Sequence, residues 1–113
     1  MPLTIDDVVR LAADLPGVET GTSYGTPALR VGKKFMCRLR EDDETLVLTP
    51  VEDIEQRFLM ETQPEIFYKT SHYEGSPSIL IHVSKVDEDQ LKDLLEDCWR
   101  RLATKKLLAA RTA

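Results

Sequence analysis

The 113-residue chain predicts an α+β fold, an antiparallel sheet of hairpins flanked by N-terminal, middle and C-terminal helices. Two observations carry this expectation. The hydrophobic period is helical near both ends and in the middle of the chain, and alternating between them. The alternating segments are also joined too closely for parallel crossovers, so they must pair antiparallel. With 42% apolar and 31% charged residues, residues 1–113 read as one soluble domain that buries a core without disulfides or metal.

The elements follow in order. Thr4 is placed to cap a first helix, with Leu3 and Val8 as its hydrophobic staple. Ile5, Val8, Val9, Ala12 and Leu15 form its buried face, and Pro16-Gly17 stops it. Residues 28–31, 34–40 and 44–48 alternate as strands, with Gly32-Lys33 at a tight turn and the acidic run 41–44 at a solvated one. In "TPVE", Thr49 and Glu52 read as a capping box and Pro50 as the first helical residue. Val51, Ile54, Phe58 and Leu59 are the expected buried stripe, ended by Gln63-Pro64. A short strand at 66–69, a polar loop at 70–78 and a central strand at 79–83 come next. Asp87 caps the last helix, whose face is Leu91, Leu94, Leu95, Cys98 and Leu102. Its acidic start and its basic end, through Lys105 and Lys106, complement the helix dipole.

Composition narrows the function. No apolar run approaches the roughly eighteen residues of a spanning helix, so no membrane role is expected. The acidic, amphipathic start is not that of a secretory signal. Cys37 and Cys98 are isolated, with no CxxC and no His at ligand spacing. That predicts buried thiols in a reducing cytoplasm, with no metal and no cofactor. The net charge of −5 confines any nucleic-acid contact to a local patch.

Several patterns resemble chemical motifs. The glycines of "GTSYGTPALRVGKK" match neither GxGxxG nor GxxxxGK[ST] and lead into a strand, so they read as turns. His72 beside Ser71, or with the distant Cys37, is the only nucleophile–base pairing to weigh, and His82 reads as a strand histidine. No catalytic residue is expected, and the protein is not expected to be an enzyme. On the 28–40 hairpin, strict alternation turns Leu29, Val31, Phe35, Cys37 and Leu39 inward. It sends Arg30, Lys34, Met36, Arg38 and Arg40 outward, with Lys33 at the tip. Such a basic face suits a phosphate backbone, or simply guards an edge strand against pairing. Tyr24, His72, Tyr73 and Trp99 are the residues for a small-molecule or protein-partner pocket, or else the rim of the core.

"LPGVETGTSYGTPALRVGKKFMCRL" (residues 15–39) resembles the leading signature of the MmcQ/YjbR-like family of small bacterial proteins. "TPVEDIEQRFL", "FYKTSHYEGSPSILIHV" and "LEDCWRRLATKKL" are similar to that family's later segments, in order. The resemblance implies a compact α+β fold likened to a "double wing" DNA-binding module. Its wing is then the 28–40 hairpin, with Arg30, Lys33, Lys34, Arg38 and Arg40 as DNA contacts. After Tyr73 the chain reads Glu74-Gly75-Ser76, where similar chains often carry basic and aromatic residues. The expected function is weak DNA binding without sequence preference, the alternative a non-catalytic module for a small ligand or protein partner.

Overall fold

A computed structural model describes residues 2–112. They form α1 (Ile5–Leu11), β1 (Val18–Ser23), β2 (Thr26–Val31), β3 (Lys34–Leu39), β4 (Thr45–Leu48), α2 (Asp53–Thr62), β5 (Phe67–Tyr68), β6 (Ile79–His82), α3 (Glu88–Leu102) and α4 (Lys105–Thr112). The strands make one antiparallel sheet in the order β1-β2-β3-β4-β6-β5. The fold is therefore α+β, and consecutive strands lie side by side except β4 and β5, between which β6 inserts.

Cross-strand pairing sorts the side chains into two faces. Leu29, Cys37, Leu48 and Ile79 form one row, and Leu39, Leu46, Ile81 and Phe67 the next. α1 and α3 close over these rows with Val8, Leu11, Leu91, Leu95 and Trp99, all within one buried cluster. Burying a side chain of this size contributes roughly 1.5–3 kcal/mol, so this face carries the stability. Trp99 is the largest fully buried side chain, and its indole Nε1 donates 2.7 Å to the Pro16 carbonyl. A third row, Ala28, Arg38, Val47 and Leu80, lies on the opposite face and outside that cluster.

The caps at Thr4 and Asp87 form as the sequence predicts. Thr4 accepts from the Asp7 amide while Asp7 accepts from Thr4, and Asp87 accepts from Asp89 and Gln90. Other expectations are corrected. β1 is a strand that alternation does not reveal, because VETGTS is solvent-facing throughout most of its length. In β3 strict alternation fails. Arg30 pairs with Phe35 and Leu29 with Cys37, which leaves Met36 as an extra residue, a β-bulge. Met36 is consequently buried in the core, and Phe35 shares the outer face with Arg38.

The middle helix differs as well. The Thr49-Pro50 peptide is cis, the helix begins at Asp53, and its N-cap Glu52 makes no side-chain capping bond. Ile54 and Phe58 are exposed, while Val51, Leu59 and the polar Gln56 are buried. Gln56 holds the helix in that rotation by donating to the Val51 carbonyl at 2.8 Å and accepting from Lys69 Nζ at 2.7 Å. The closing helix stops at Leu102, ahead of its expected end. Ala103 is extended, and Lys105 starts α4, which folds back so that Leu107 lies on Gly17.

Gly17 has φ +78, and a Cβ there would come within 2.8 Å of the Leu107 side chain. Both the left-handed backbone and the contact disfavour a larger residue, which would have to push the end of the Leu107 side chain aside. Gly17→Ala should cost about 2 kcal/mol, read as a lowered urea midpoint. A loss too small to resolve would show that α4 does not depend on this turn.

Candidate functional site: a cleft on the outer face of the sheet

The bulge at Met36 places Phe35 and Arg38, three residues apart, on the same outer face. Beside them the β1–β2 connection is a two-residue turn, Tyr24-Gly25, between the paired Ser23 and Thr26. Both turn residues have positive φ, 52 for Tyr24 and 75 for Gly25, as a type I′ hairpin turn requires. Asn-Gly is the preferred pair there, and a tyrosine in the left-handed region carries a local strain on the order of 1 kcal/mol. Tyr24 nevertheless stands 91% exposed. From the other side, a 3-10 turn at Ser71–Tyr73 brings His72 and Tyr73 over the sheet, their rings edge to face at 5.0 Å.

Between these walls is a cleft of about 640 Å³, lined by Tyr24, Phe35, Arg38, Val47, Tyr73 and their neighbours Ser23, Glu41, His72 and Ser78. Its size suits a small ligand. Arg38 is its buried cation. Nη1 donates 3.1 Å to the Thr26 hydroxyl, which in turn donates 2.7 Å to the Ser23 carbonyl. The guanidinium carbon lies 5.1 Å from the centroid of the Tyr24 ring, a cation–π contact. Glu41 Oε2 is 3.8 Å away, an ion pair too long for a hydrogen bond, and the Glu41 side chain is 70% exposed. Nε and Nη2 of Arg38 make no hydrogen bond among the described residues.

The pocket residues named from sequence are thus divided. Tyr24, His72 and Tyr73 meet at the cleft; Trp99 does not join them, because it is packed in the core beneath the opposite face. The basic hairpin is divided too. Lys33 is exposed at the tip, and Lys34, also exposed, reaches the Leu102 carbonyl at 3.4 Å. Arg30 donates to the Thr22 carbonyl at 2.9 Å. Arg40 lies 3.9 Å from Glu41, and Arg38 is the cleft's own cation. Phe35, Ser23, Val47 and Ser78 were missed. The signal for the site was the Tyr-Gly pair at a hairpin turn, where Asn-Gly would be ordinary.

The acidic run is more than a solvated turn. Burial alone would raise the Asp42 carboxyl, but bonds from the Glu44 and Thr45 amides and the Thr45 hydroxyl outweigh it and hold the pKa below its usual value. His82 stacks on Tyr68 at 4.4 Å, with Nδ1 3.3 Å from Glu44. Cys37 faces the core and His72 the cleft, on opposite sides of the sheet, so they form no nucleophile–base pair.

A sequence profile of the family described as YjbR matches residues 13–101. The chain belongs to the YjbR family. Three relatives are each 26% identical to it over 124 aligned positions, which cover 95% of this chain and 94% of theirs. They are the uncharacterized proteins Rv2570 and MT2646 of Mycobacterium tuberculosis and Mb2600 of Mycobacterium bovis. In this YjbR protein every residue that lines the cleft falls within the matched span, whereas α4 lies beyond it.

Burial pushes the Cys37 thiol up to about 12. The folded state then favours the neutral thiol, while the unfolded thiol ionises near 9.0. This contribution to stability is whole below that value and is lost as pH rises from there toward 12. Cys37 should resist a disulfide reagent in the folded protein at about pH 8. Between about pH 8 and pH 10.5 the urea midpoint should fall further for wild type than for Cys37→Ala. Equal falls, or rapid labelling of the native thiol, would contradict the assignment.

Proposed function

We propose that this YjbR protein is a non-catalytic binding module that takes a small molecule in the cleft between the Tyr24 turn and the 70–78 loop. The observation that carries the reading is Tyr24 itself. A large aromatic side chain stands 91% exposed on a left-handed backbone, above a buried arginine with unused donors. Strain of this kind clusters at binding and active sites. The proposal places the protein in a reducing cytoplasm, on the ground that Cys37 and Cys98 are buried, free thiols. Among the described residues no helix is long and apolar enough to cross a membrane.

Tyr24→Asn installs the turn's preferred pair, so it should hold or raise the thermal midpoint while removing one wall of the cleft. Ligand-observed NMR with a fragment library should find compounds that bind wild type and lose binding to Tyr24→Asn. Hits that bind both proteins alike would sink the reading.

DNA binding through the hairpin is the second reading, supported by the exposure of Lys33 and Lys34 at and beside its tip. Glu41 lies against Arg38 and Arg40, and Glu19 pairs opposite Arg30, so the hairpin's charge is mixed. Two phosphate contacts correspond to a slope of roughly −2 for log affinity against log salt. A duplex titration should give that slope, abolished by combined Ala substitution at Lys33, Lys34, Arg38 and Arg40. Unchanged binding by the quadruple variant at low salt rules the wing out.

A further inference from the structure

We propose that the ligand of this cleft is a planar aromatic anion, its carboxylate or phosphate held by Arg38 and its ring laid against Tyr24 and Tyr73. This inference rests on the binding-module reading and names its ligand class. The charge comes from Arg38. A guanidinium offers five N–H donors in a flat fork, shaped for two parallel bonds to a carboxylate or a phosphate. Here one nitrogen is committed to Thr26, and the rest of the fork has no hydrogen bond among the described residues. The Arg38 side chain is only 11% exposed, and its unused nitrogens are not sealed in the interior but reach the surface of the cleft. A buried cation in that condition gains from an anion that reaches it.

Glu41 is a poor substitute for that anion. It stands off at 3.8 Å and is mostly in solvent, a geometry in which an ion pair contributes little. Its other carboxylate oxygen lies 3.9 Å from Arg40. Glu41 faces Nη1, the nitrogen already bonded to Thr26, so it leaves Nε and Nη2 free for an incoming anion and opposes that anion only by its charge. Glu41 is a loose counter-ion beside the ligand's place, and removing its charge favours the anion.

The aromatic body comes from the walls. Tyr24, Phe35 and Tyr73 supply ring surface, Val47 an apolar floor, and His72 supports Tyr73 edge-on. Offset stacking between facing rings adds to the area they bury. An aliphatic acid leaves those faces unused, and a neutral aromatic leaves the guanidinium fork unfilled.

The test is isothermal titration of the full chain with 1-naphthoate, 1-naphthyl phosphate, 1-naphthamide and cyclohexanecarboxylate. Either naphthyl anion should bind, and the tighter of the two identifies the headgroup. The amide and the alicyclic acid should bind at least about tenfold more weakly. Arg38→Lys should weaken the anion about tenfold or more, since lysine has no fork. Glu41→Gln, at an exposed position that leaves the fold intact, should tighten it about fivefold. If Arg38→Lys fails to fold, Glu41→Gln decides, and unchanged or weaker anion binding there overturns the proposal. Amide binding as tight as naphthoate overturns the anion inference but leaves the cleft as a binding site. Failure of all four compounds to bind overturns both.

Discussion

Because Met36 has no partner on β2, β3 turns over between Phe35 and Cys37, and both faces of the sheet depend on that reversal. On the inner face it lets two adjacent residues, Met36 and Cys37, enter the same core. On the outer face it sets an aromatic side chain and an arginine in line. A regular strand would have sent Phe35 inward beside Cys37 and removed one wall of the cleft. Bulges re-aim side chains without interrupting a sheet, and here one residue serves both packing and site geometry.

Arg38 shows how burial changes the meaning of a charge. Counted along the sequence it is one of a row of cations on a hairpin. In the fold its neighbours are Thr26, Tyr24 and Val47, and its guanidinium lies in the wall of a recess, not on a convex surface. Lys33 and Lys34 keep the hydrated character that long-range attraction to phosphate requires. Adjacent positions of one hairpin thus divide between two kinds of electrostatics, one screened by salt and one sheltered from it.

The parts of the fold legible in the sequence are those with local causes. Thr4 and Asp87 cap their helices because the capping groups lie within three residues, and 79–81 is apolar on both faces because the strand is flanked by β4 and β5. What could not be read depends on distant partners. β1 exists because β2 offers it an edge, not because VETGTS has a pattern. The rotation of α2 is set by Gln56, whose partner Lys69 lies on another segment, and this exposes Ile54 and Phe58. The cleft is half visible in the sequence: Tyr24, His72 and Tyr73 are candidates and alternation already turns Arg38 outward, whereas Phe35 joins them only once the bulge is known.

The bond from Trp99 to the Pro16 carbonyl spans 83 residues. Gly17 accepts from the Gly32 amide within the same turn and also lies under Leu107. The N-terminal helix, the hairpin and both C-terminal helices therefore converge on two consecutive residues. Contacts so far apart in the chain slow folding, because the loop must close before they contribute. During synthesis the first helix and the hairpin emerge long before the indole that completes their junction. Until then this stretch is an open, partly apolar surface, and its lifetime is set by the rate of translation as well as by its own stability.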